Sequence, residues 1–343
     1  MKKRNKAPIP QLLLLLAALA VLASLLVPIP YYIEAPGATI KLDELITVND
    51  QKDQHSGSFA LTSVGIRQAT AATALKAKLS DFQDLITKQD LMGNATNEEY
   101  DRIQNYYMES SQNAAIEQAL KLAGKKYEMS YLGVYVLAID PSSSFYGKIS
   151  VGDTVTAVDG KRFENADDLV KYVHSQTVGQ EVTVTYLQDG KEKEAVGKLI
   201  SLPEPNKGKP GIGITLTSHT EIKSEDKVAF HVDNIGGPSA GLMFTLEIYQ
   251  QLISKDLRQG LAIAGTGTMN ADGTVGQIGG IDKKVASAAA SGAKIFFAPK
   301  GESKQDTNYQ EAKAAAEKLD TDMKIVPVGT LKEAVDYLEN ELG

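Results

Sequence analysis

The chain has 343 residues, enough for about two or three domains that each bury a core. Its formal net charge of −7 argues against a nucleic-acid partner, because phosphate binding relies on clustered Lys and Arg. The absence of cysteine excludes thiol nucleophiles and disulfides. The 4 histidines show no His-Glu-x-x-His spacing, so we expect neither a metal site nor a cofactor.

An uncharged, apolar stretch follows the basic N-terminus. It runs from Ala7 to Tyr32, and roughly 20 apolar residues suffice to cross a bilayer. By the positive-inside rule, we expect residues 1–8 to be a cytoplasmic tail and residues 9–30 a transmembrane anchor. All later residues would then lie outside the cell.

A cleaved signal peptide is the alternative interpretation of this stretch. Ala18-Leu19-Ala20 has the small-x-small form of a cleavage site, but it falls inside the apolar stretch rather than after it. Tyr31 and Tyr32 resemble the aromatic anchors of a membrane interface. We therefore favour an uncleaved anchor.

Residues 31–127 combine strand and helix patterns. Ser58 to Ile66 alternates as a strand does, and Asn113 to Leu120 is rich in good helix formers. We predict an extracellular segment of strands and helices that packs with the C-terminal domain. The sequence leaves open whether this segment is a domain of its own.

Residues 128–202 have the composition of short strands and tight turns. Val151 to Gly160 indicates a turn, a strand and a second turn, Asn165 is placed to cap a short helix, and Asp189-Gly190 favours a hairpin. This order resembles a PDZ domain, and the Gly-Asp-x-Val-x-x-Val-Asp-Gly core carries most of the resemblance. Another small barrel-like domain is the alternative, because short-strand patterns recur among folds.

A PDZ domain binds an extended peptide at a sheet edge and holds its terminal carboxylate with backbone amides. The predicted peptide-binding residues form the turn Tyr131-Leu132-Gly133-Val134. This turn departs from the fuller Gly-Leu-Gly-Phe form, and Gly133-Val134 also fits the start of an internal strand.

Residues 203–343 open with a proline-rich stretch, Pro203 to Pro210, which we interpret as a linker. Strand patterns such as Lys294 to Ala298 then alternate with helical runs, which predicts an α/β domain. The expected fold class is therefore multidomain, α/β and α+β, with a transmembrane helix, a small PDZ-like β domain and a C-terminal α/β domain.

Ser239 is the strongest nucleophile candidate. It lies in Gly236-Gly237-Pro238-Ser239-Ala240-Gly241, directly before an apolar helix pattern. Unpaired N–H groups face outward at a helix N-terminus and can hold the negative oxygen of a tetrahedral intermediate. The alternative is that Ser239 only caps the helix, the commonest role of serine at such a place.

Lys284 is the candidate base for this serine. No histidine is well placed, and a lysine that burial holds neutral can take the serine proton. Holding a lysine neutral near pH 7 costs about 4 kcal/mol. Small apolar residues follow Lys284, so we expect a buried helix. Lys283 is the rival, and we expect it to be solvated.

The C-terminal part of the chain resembles the proteolytic domain of Lon-type serine–lysine proteases. In that family the serine lies in (Asp/Gly)-Gly-Pro-Ser-Ala-Gly and the lysine in Gly-Gly-(Ile/Leu)-x-x-Lys, which match Gly236–Gly241 and Gly279–Lys284. The resemblance implies a catalytic pair, a threonine that hydrogen-bonds the lysine, and backbone support for an oxyanion. The implied residues are Ser239 and Lys284 for catalysis, and Thr266, Gly237 and Ala240 in support.

Two features depart from that family. Gly236 replaces its acidic residue three positions before the serine, and the sequence contains no Gly-x-x-x-x-Gly-Lys-(Ser/Thr) motif, so we expect no use of ATP. The complete layout resembles the membrane-anchored Lon-like proteases of Gram-positive bacteria. These include the YlbL group and streptococcal proteases that trim secreted signalling peptides.

We therefore expect an ATP-independent serine endopeptidase, anchored at the outer face of a Gram-positive cell membrane, that cleaves secreted or cell-surface peptides. The alternative is a catalytically silent PDZ scaffold that presents peptides at the membrane surface. The presence of both Ser239 and Lys284 argues against a silent scaffold. The natural substrate and the oligomeric state are left open.

Overall fold

A computed structural model of the chain describes residues 9–232, 235–253 and 255–342. Within these ranges the helices are α1 (Ile9–Leu26), α2 (Ala71–Lys78), α3 (Lys88–Met92), α4 (Asn97–Leu122), α5 (Ala166–His174), α6 (Gly241–Leu252), α7 (Ile281–Ala290), α8 (Asn308–Lys318) and α9 (Leu331–Asn340). The strands up to the middle of the chain are β1 (Pro28–Lys41), β2 (Ile46–Val48), β3 (Gln51–Lys52), β4 (Ser58–Thr70), β5 (Asp84–Thr87), β6 (Tyr127–Ile139), β7 (Thr154–Val158), β8 (Lys161–Arg162), β9 (Glu181–Gln188) and β10 (Lys191–Lys198). The remaining strands are β11 (Ile200–Ser201), β12 (Pro210–Gly211), β13 (Ile214–Ser224), β14 (Val228–Phe230), β15 (Ala262–Gly265), β16 (Thr268–Met269), β17 (Val275–Gly276), β18 (Ile295–Pro299) and β19 (Lys324–Val328).

Strands from distant parts of the chain form one mixed sheet, in the order β19-β18-β15-β4-β1-β5. β4, β15, β18 and β19 run parallel, β1 pairs antiparallel with β4, and β5 pairs antiparallel with β1. Phe59, Ile263 and Phe297 at its centre are fully buried. Residues 28–87 therefore complete the sheet of the C-terminal domain and do not form a sheet of their own.

The predicted transmembrane anchor over residues 9–30 is wrong. Of the residues that the structure describes, no helix is both long and apolar enough to cross a membrane. α1 ends at Leu26, and Pro28, which has no N–H group to donate within a helix, opens β1. Tyr31-Tyr32 pair with β5 as strand residues. The predicted tail, residues 1–8, lies outside the described ranges, and the extracellular location stays a prediction.

A second, antiparallel sheet forms what we call the PDZ-like unit, residues 127–224. Its strand order is β10-β9-β7-β6-β13, with β8 paired to β7. Strand side chains that alternate toward one face bury Val134, Val155 and Val184 completely. α5 closes this core with Leu169 and Val173.

The PDZ-like unit extends further along the chain than the predicted 128–202. β13 pairs with β6 along its whole length, and β11 and β12 pair on either side of the stretch Pro203 to Pro210. That stretch is a loop within the unit and not a linker between domains, since proline suits tight turns as well as extended linkers. The rest of the predicted protease domain follows Ser224.

α4 contacts α6 and also the sheet of the PDZ-like unit. Thr96 and Glu99 form a capping box that starts this helix. One side of α4 packs against α6 through Met108, Ala115 and Ala119. The helix also contacts β13 and β6 of the PDZ-like unit. α4 thus connects α6 to the PDZ-like unit.

The predicted peptide-binding turn Tyr131-Leu132-Gly133-Val134 is an internal segment of β6, which is the alternative that the sequence left open. Val134 pairs with Val155 on one side and with Ser218 on the other. Gly133 has a φ of +148°, and a Cβ there would lie 2.3 Å from the Val155 carbonyl oxygen. The glycine is required by the close approach of β7, and the segment around Val134 offers no free sheet edge.

Gly133→Ala should destabilise the PDZ-like unit by about 2–3 kcal/mol, because the new methyl group meets strand backbone that cannot move aside. Urea unfolding of the full chain, followed by circular dichroism, measures this loss. Gly160→Ala is the matched control, since Gly160 also has a positive φ, +73°, but open space around its Cβ position. The control should lose only about 1 kcal/mol. Equal losses would contradict the packing explanation.

Candidate active site

Ser239 lies on a tight turn directly before α6. The helix cap position belongs to Ala240, whose side chain makes no capping hydrogen bond, so the capping alternative for Ser239 fails. The Ser239 carbonyl oxygen accepts hydrogen bonds from the Gly267 N–H group at 2.9 Å and from the Thr266 hydroxyl at 3.0 Å. These two bonds fix the backbone of the turn, and the Ser239 hydroxyl faces the cleft.

Lys284 approaches Ser239 from α7, with only 2% of its surface exposed. Its Nζ donates to Ser239 Oγ at 2.8 Å, to the Thr62 carbonyl oxygen at 3.0 Å and to Thr266 Oγ1 at 3.2 Å. The Thr266 hydroxyl proton is already directed at the Ser239 carbonyl, so Thr266 Oγ1 can only accept from the lysine. A neutral Lys284 therefore donates to both threonines and directs its lone pair at Ser239 Oγ.

Burial lowers the pKa of Lys284 from 10.5 to about 8, and the nearby charge of Glu34 opposes this shift. The shift follows from desolvation, because removal from water disfavours the charged ammonium. A substantial neutral fraction of Lys284 is then present at mildly alkaline pH. Such an amine can take the proton of an attacking serine hydroxyl.

Lys283 is buried as well, contrary to the expectation of a solvated side chain. It is 2% exposed, and its Nζ forms ion pairs with Asp84, with Asp282 at 3.1 Å and with Glu34 at 3.6 Å. Burial alone would lower the pKa of Lys283, but hydrogen bonds with Asp84 and Asp282 outweigh it and raise the pKa. Side chains at neighbouring helix positions point about 100° apart. Lys283 is therefore directed away from Ser239 and stays protonated, whereas Lys284 contacts Ser239.

A cleft of about 760 Å³ opens over this pair. Its floor is the serine turn with Lys284, one wall comes from β1 and β4, and the other comes from α3 and α4. The lining residues are Glu34, Leu61, Thr62, Ser63, Val64, Ile66, Leu91, Tyr100, Asp101, Gln104, Asn105, Met108, Ile235, Gly236, Gly237, Pro238, Ser239, Ala240, Gly279 and Lys284. The volume accommodates an extended peptide segment.

The two predicted oxyanion donors differ in their availability. The Gly237 N–H group donates to the carbonyl oxygen of Gln104 on α4 at 2.9 Å, so in this arrangement it is not free to bind an oxyanion. The Ala240 N–H group has no acceptor among the residues that the structure describes. Its position beside Ser239, at the positive end of α6, suits a developing negative charge. A role for Ala240 stays a prediction.

Three residues of this site carried no recognisable signal in the sequence. Thr62 contributes a backbone carbonyl, which any residue could supply, and Gln104 also acts through its carbonyl. Glu34 is one acidic residue within β1, outside any recognisable motif. All three come from the N-terminal half of the chain, far from the glycine-rich motifs.

A second, smaller groove of about 160 Å³ lies between α5 and β13 in the PDZ-like unit. Val170 and His174 line one side, and Gly211-Ile212-Gly213-Ile214 lines the other. This segment alternates glycine with an apolar residue, as the Gly-Leu-Gly-Phe form does. Residues 131–134, where the peptide-binding turn is predicted, match that form less well. The glycine alternation was the signal that would have located the groove.

Two family matches cover much of the chain. Residues 115–199 match the PDZ domain, and residues 215–340 match the C-terminal proteolytic domain of Lon protease. The second match includes Ser239, Thr266 and Lys284. A curated relative, the Lon protease of Ureaplasma parvum, is 32% identical over 125 residues, which are 35% of this chain and 15% of that relative. This chain thus corresponds to a small part of that longer protein.

Solved structures resemble the PDZ-like unit in sequence. The PDZ domain of an SdrC-like protein from Listeria monocytogenes is 34% identical, with 25% of this chain and 90% of that chain covered and a TM-score of 0.24. The PDZ domain of the SdrC-like protein from Listeria innocua is 36% identical, with 25% and 96% covered and a TM-score of 0.24. TM-scores this low add no support for the overall fold.

The rate at which Ser239 reacts with a fluorophosphonate probe should rise with pH through about 8, as Lys284 loses its proton. Glu34→Gln should move this midpoint to lower pH, because removal of the Glu34 charge withdraws an interaction that favours the ammonium form of Lys284. Stopped-time labelling between pH 6 and 10, read by mass spectrometry, measures both midpoints.

Asp101→Asn is the control for Glu34→Gln. Asp101 also lines the cleft, but its charge does not act on the pKa of Lys284. The pH midpoint of labelling in Asp101→Asn should equal that of the unchanged protein. A midpoint that is the same in all three proteins would contradict the assigned influence of Glu34.

Proposed function

The chain belongs to the PDZ-containing Lon-like proteases, and we propose that it is a serine endopeptidase that works without ATP through a Ser239–Lys284 dyad. The observation that carries this proposal is the 2.8 Å hydrogen bond between buried Lys284 and Ser239 Oγ at the floor of an open cleft. The lowered pKa of Lys284, about 8, supports its role as the base.

In the proposed reaction, neutral Lys284 takes the proton of Ser239 Oγ as that oxygen attacks the peptide carbonyl carbon. The negative oxygen of the tetrahedral intermediate faces the Ala240 N–H group. Protonated Lys284 then gives its proton to the departing amine, which leaves an acyl-enzyme. A water molecule, deprotonated by Lys284, hydrolyses that ester and restores Ser239. Thr62 and Thr266 hold the lysine nitrogen in place throughout.

The proposed substrates are short or flexible peptides, including secreted or cell-surface ones. The sequence contains no Gly-x-x-x-x-Gly-Lys-(Ser/Thr) motif for ATP, and without a motor a folded protein cannot be pulled into the cleft. The resemblance to proteases that trim secreted signalling peptides supports the same substrate class. A peptide that is extended before it binds avoids the free energy needed for unfolding.

Ser239→Ala and Lys284→Ala should each abolish cleavage of a mixture of extended peptides, with a loss on the order of 10³-fold or more. The Ser239 change removes the nucleophile, and the Lys284 change removes its base. Mass spectrometry of the products measures cleavage and maps the bonds that are cut.

Lys283→Met is the matched control, because it removes a neighbouring buried cation without touching Ser239. It should keep most of the activity per folded molecule. Cleavage that survives in both alanine variants would refute the dyad. A chain that never cleaves peptides, with or without these changes, would favour the silent scaffold.

We further propose that the groove between α5 and β13 docks part of the substrate. Its Gly-Ile-Gly-Ile rim and apolar α5 wall suit a peptide that adds to the edge of β13. Docking at a second place raises the local concentration of the peptide at the cleft. The groove would therefore matter for long substrates and not for very short ones.

Val170→Glu should lower kcat/KM for a peptide of about 20 residues roughly tenfold, while a tetrapeptide substrate keeps its value, because only the long peptide reaches the groove. Lys171→Glu places the same side chain on α5 at an exposed position that does not line the groove. Steady-state cleavage assays of both peptides with both variants measure the ratio. Equal losses on the two peptides would rule out a docking role.

A further inference from the structure

α4 connects the nucleophile turn to the PDZ-like unit. Residues 97–114 of this helix precede both family matches, so neither match assigns it a role. The helix lines the catalytic cleft with Tyr100, Asp101, Gln104, Asn105 and Met108. Its contacts with the two neighbours are specific hydrogen bonds and not only apolar packing.

On the catalytic side, α4 holds the residues directly before Ser239. The Gln104 carbonyl oxygen accepts the Gly237 N–H group at 2.9 Å, and the Ser111 hydroxyl donates to the Pro238 carbonyl oxygen at 3.1 Å. Ser111 is 4% exposed. These two bonds fix two consecutive residues of the nucleophile turn, Gly237 and Pro238, to the helix. In the same arrangement Lys284 Nζ lies 2.8 Å from Ser239 Oγ.

On the opposite side, α4 is bonded to the PDZ-like unit. The Tyr106 hydroxyl donates to the Ser218 carbonyl oxygen, and the Tyr106 ring stacks on Tyr135 with centroids 4.0 Å apart. The Asn113 side chain donates to the Thr220 carbonyl oxygen at 2.9 Å. Tyr106 is 5% exposed, so its hydroxyl has little access to water as a substitute partner.

β13 carries both the docking groove and the attachment of α4. Ile214 and Leu216 line the groove, and Ser218 and Thr220 accept the bonds from α4. At about 3.3 Å per residue, the groove ends roughly 7 Å along the strand from the Tyr106 contact. A peptide that pairs with this part of β13 would therefore order the strand segment that holds α4.

We propose that Ser111 and Tyr106 of α4 are positioning residues for Ser239, and that the PDZ-like unit sets the position of the nucleophile turn through them. This inference rests on the proposed peptidase function. A shift of the turn by about 1 Å can cost on the order of 10²-fold in rate, so a small displacement of α4 suffices to change activity.

Tyr106→Phe tests the link and keeps the ring stack on Tyr135. The rate of fluorophosphonate labelling of Ser239 and kcat for a tetrapeptide should both fall about tenfold, because the turn loses its fixed position. The pH midpoint of labelling should not move, since burial and the charge of Glu34 set the pKa of Lys284 and Tyr106 does not contribute to it. Hydrogen exchange in the peptide that spans residues 235–241 should become faster, as the Gly237 N–H group loses its steady acceptor.

Tyr186→Phe is the matched control within the PDZ-like unit. Tyr186 is also 5% exposed, and its hydroxyl donates to the Lys148 carbonyl oxygen at 2.9 Å, so its bond lies within the PDZ-like unit and not on α4. It should lower the melting temperature as much as Tyr106→Phe while leaving labelling and exchange at residues 235–241 unchanged. Identical behaviour of the two variants in labelling and exchange would overturn the proposal.

Ser111→Ala should also slow the labelling of Ser239. The double variant Tyr106→Phe/Ser111→Ala should be labelled faster than the product of the two single rate reductions predicts. Multiplicative effects would show that the two residues act independently and would refute the link through α4. If the unchanged protein cleaves no peptide, the proposed function fails, and hydrogen exchange at residues 235–241 still decides whether the PDZ-like unit holds the turn.

Discussion

The site depends on a hydrogen bond from Lys284 to the carbonyl oxygen of Thr62, 222 positions earlier in the chain. Thr62 lies on β4, which runs parallel to β15, and Thr266 follows the end of β15. The pairing of these two strands therefore brings both acceptors for Lys284 to one place. It also explains why the N-terminal strands are part of the catalytic domain: the lysine would lose a partner for a buried N–H group without them.

Two neighbouring lysines show how surroundings decide the chemistry of identical side chains. Burial away from water weakens the hold of Lys284 on its proton, whereas hydrogen bonds with carboxylates outweigh burial at Lys283 and strengthen its hold. Their separation by one helix position is enough to direct them into different surroundings. The carboxylates around Lys283 also connect α7 to β1 and β5.

The sequence singles out Ser239, Thr266 and Lys284 because each lies in a local glycine-rich pattern, and in the structure the three lie within hydrogen-bond distance of one another; their catalytic roles stay a prediction. The sequence was not sufficient for contacts that depend on long-range pairing. Lys283 was expected to be solvated because its partner Asp84 is 199 positions away. The composition of the apolar N-terminal stretch predicts an anchor. In the structure the helix ends before Pro28, and the residues from Pro28 onward form a strand. The PDZ-like unit ends later than predicted, because the pairing of β13 with β6 has no signature in the amino-acid composition.

Both large sheets take strands from either side of the loop between β11 and β12. The mixed sheet joins β1, β4 and β5 to β15, β18 and β19, and the PDZ-like sheet joins β6 to β13. Residues 203–209 of that loop are exposed, so a protease can nick the chain there. Each fragment would then hold strands of both sheets, and the buried interfaces between them would keep the pair together. A nicked protein would migrate as one particle under native conditions and as two bands in detergent, and the nucleophile and the strand that orients its base would belong to different polypeptides.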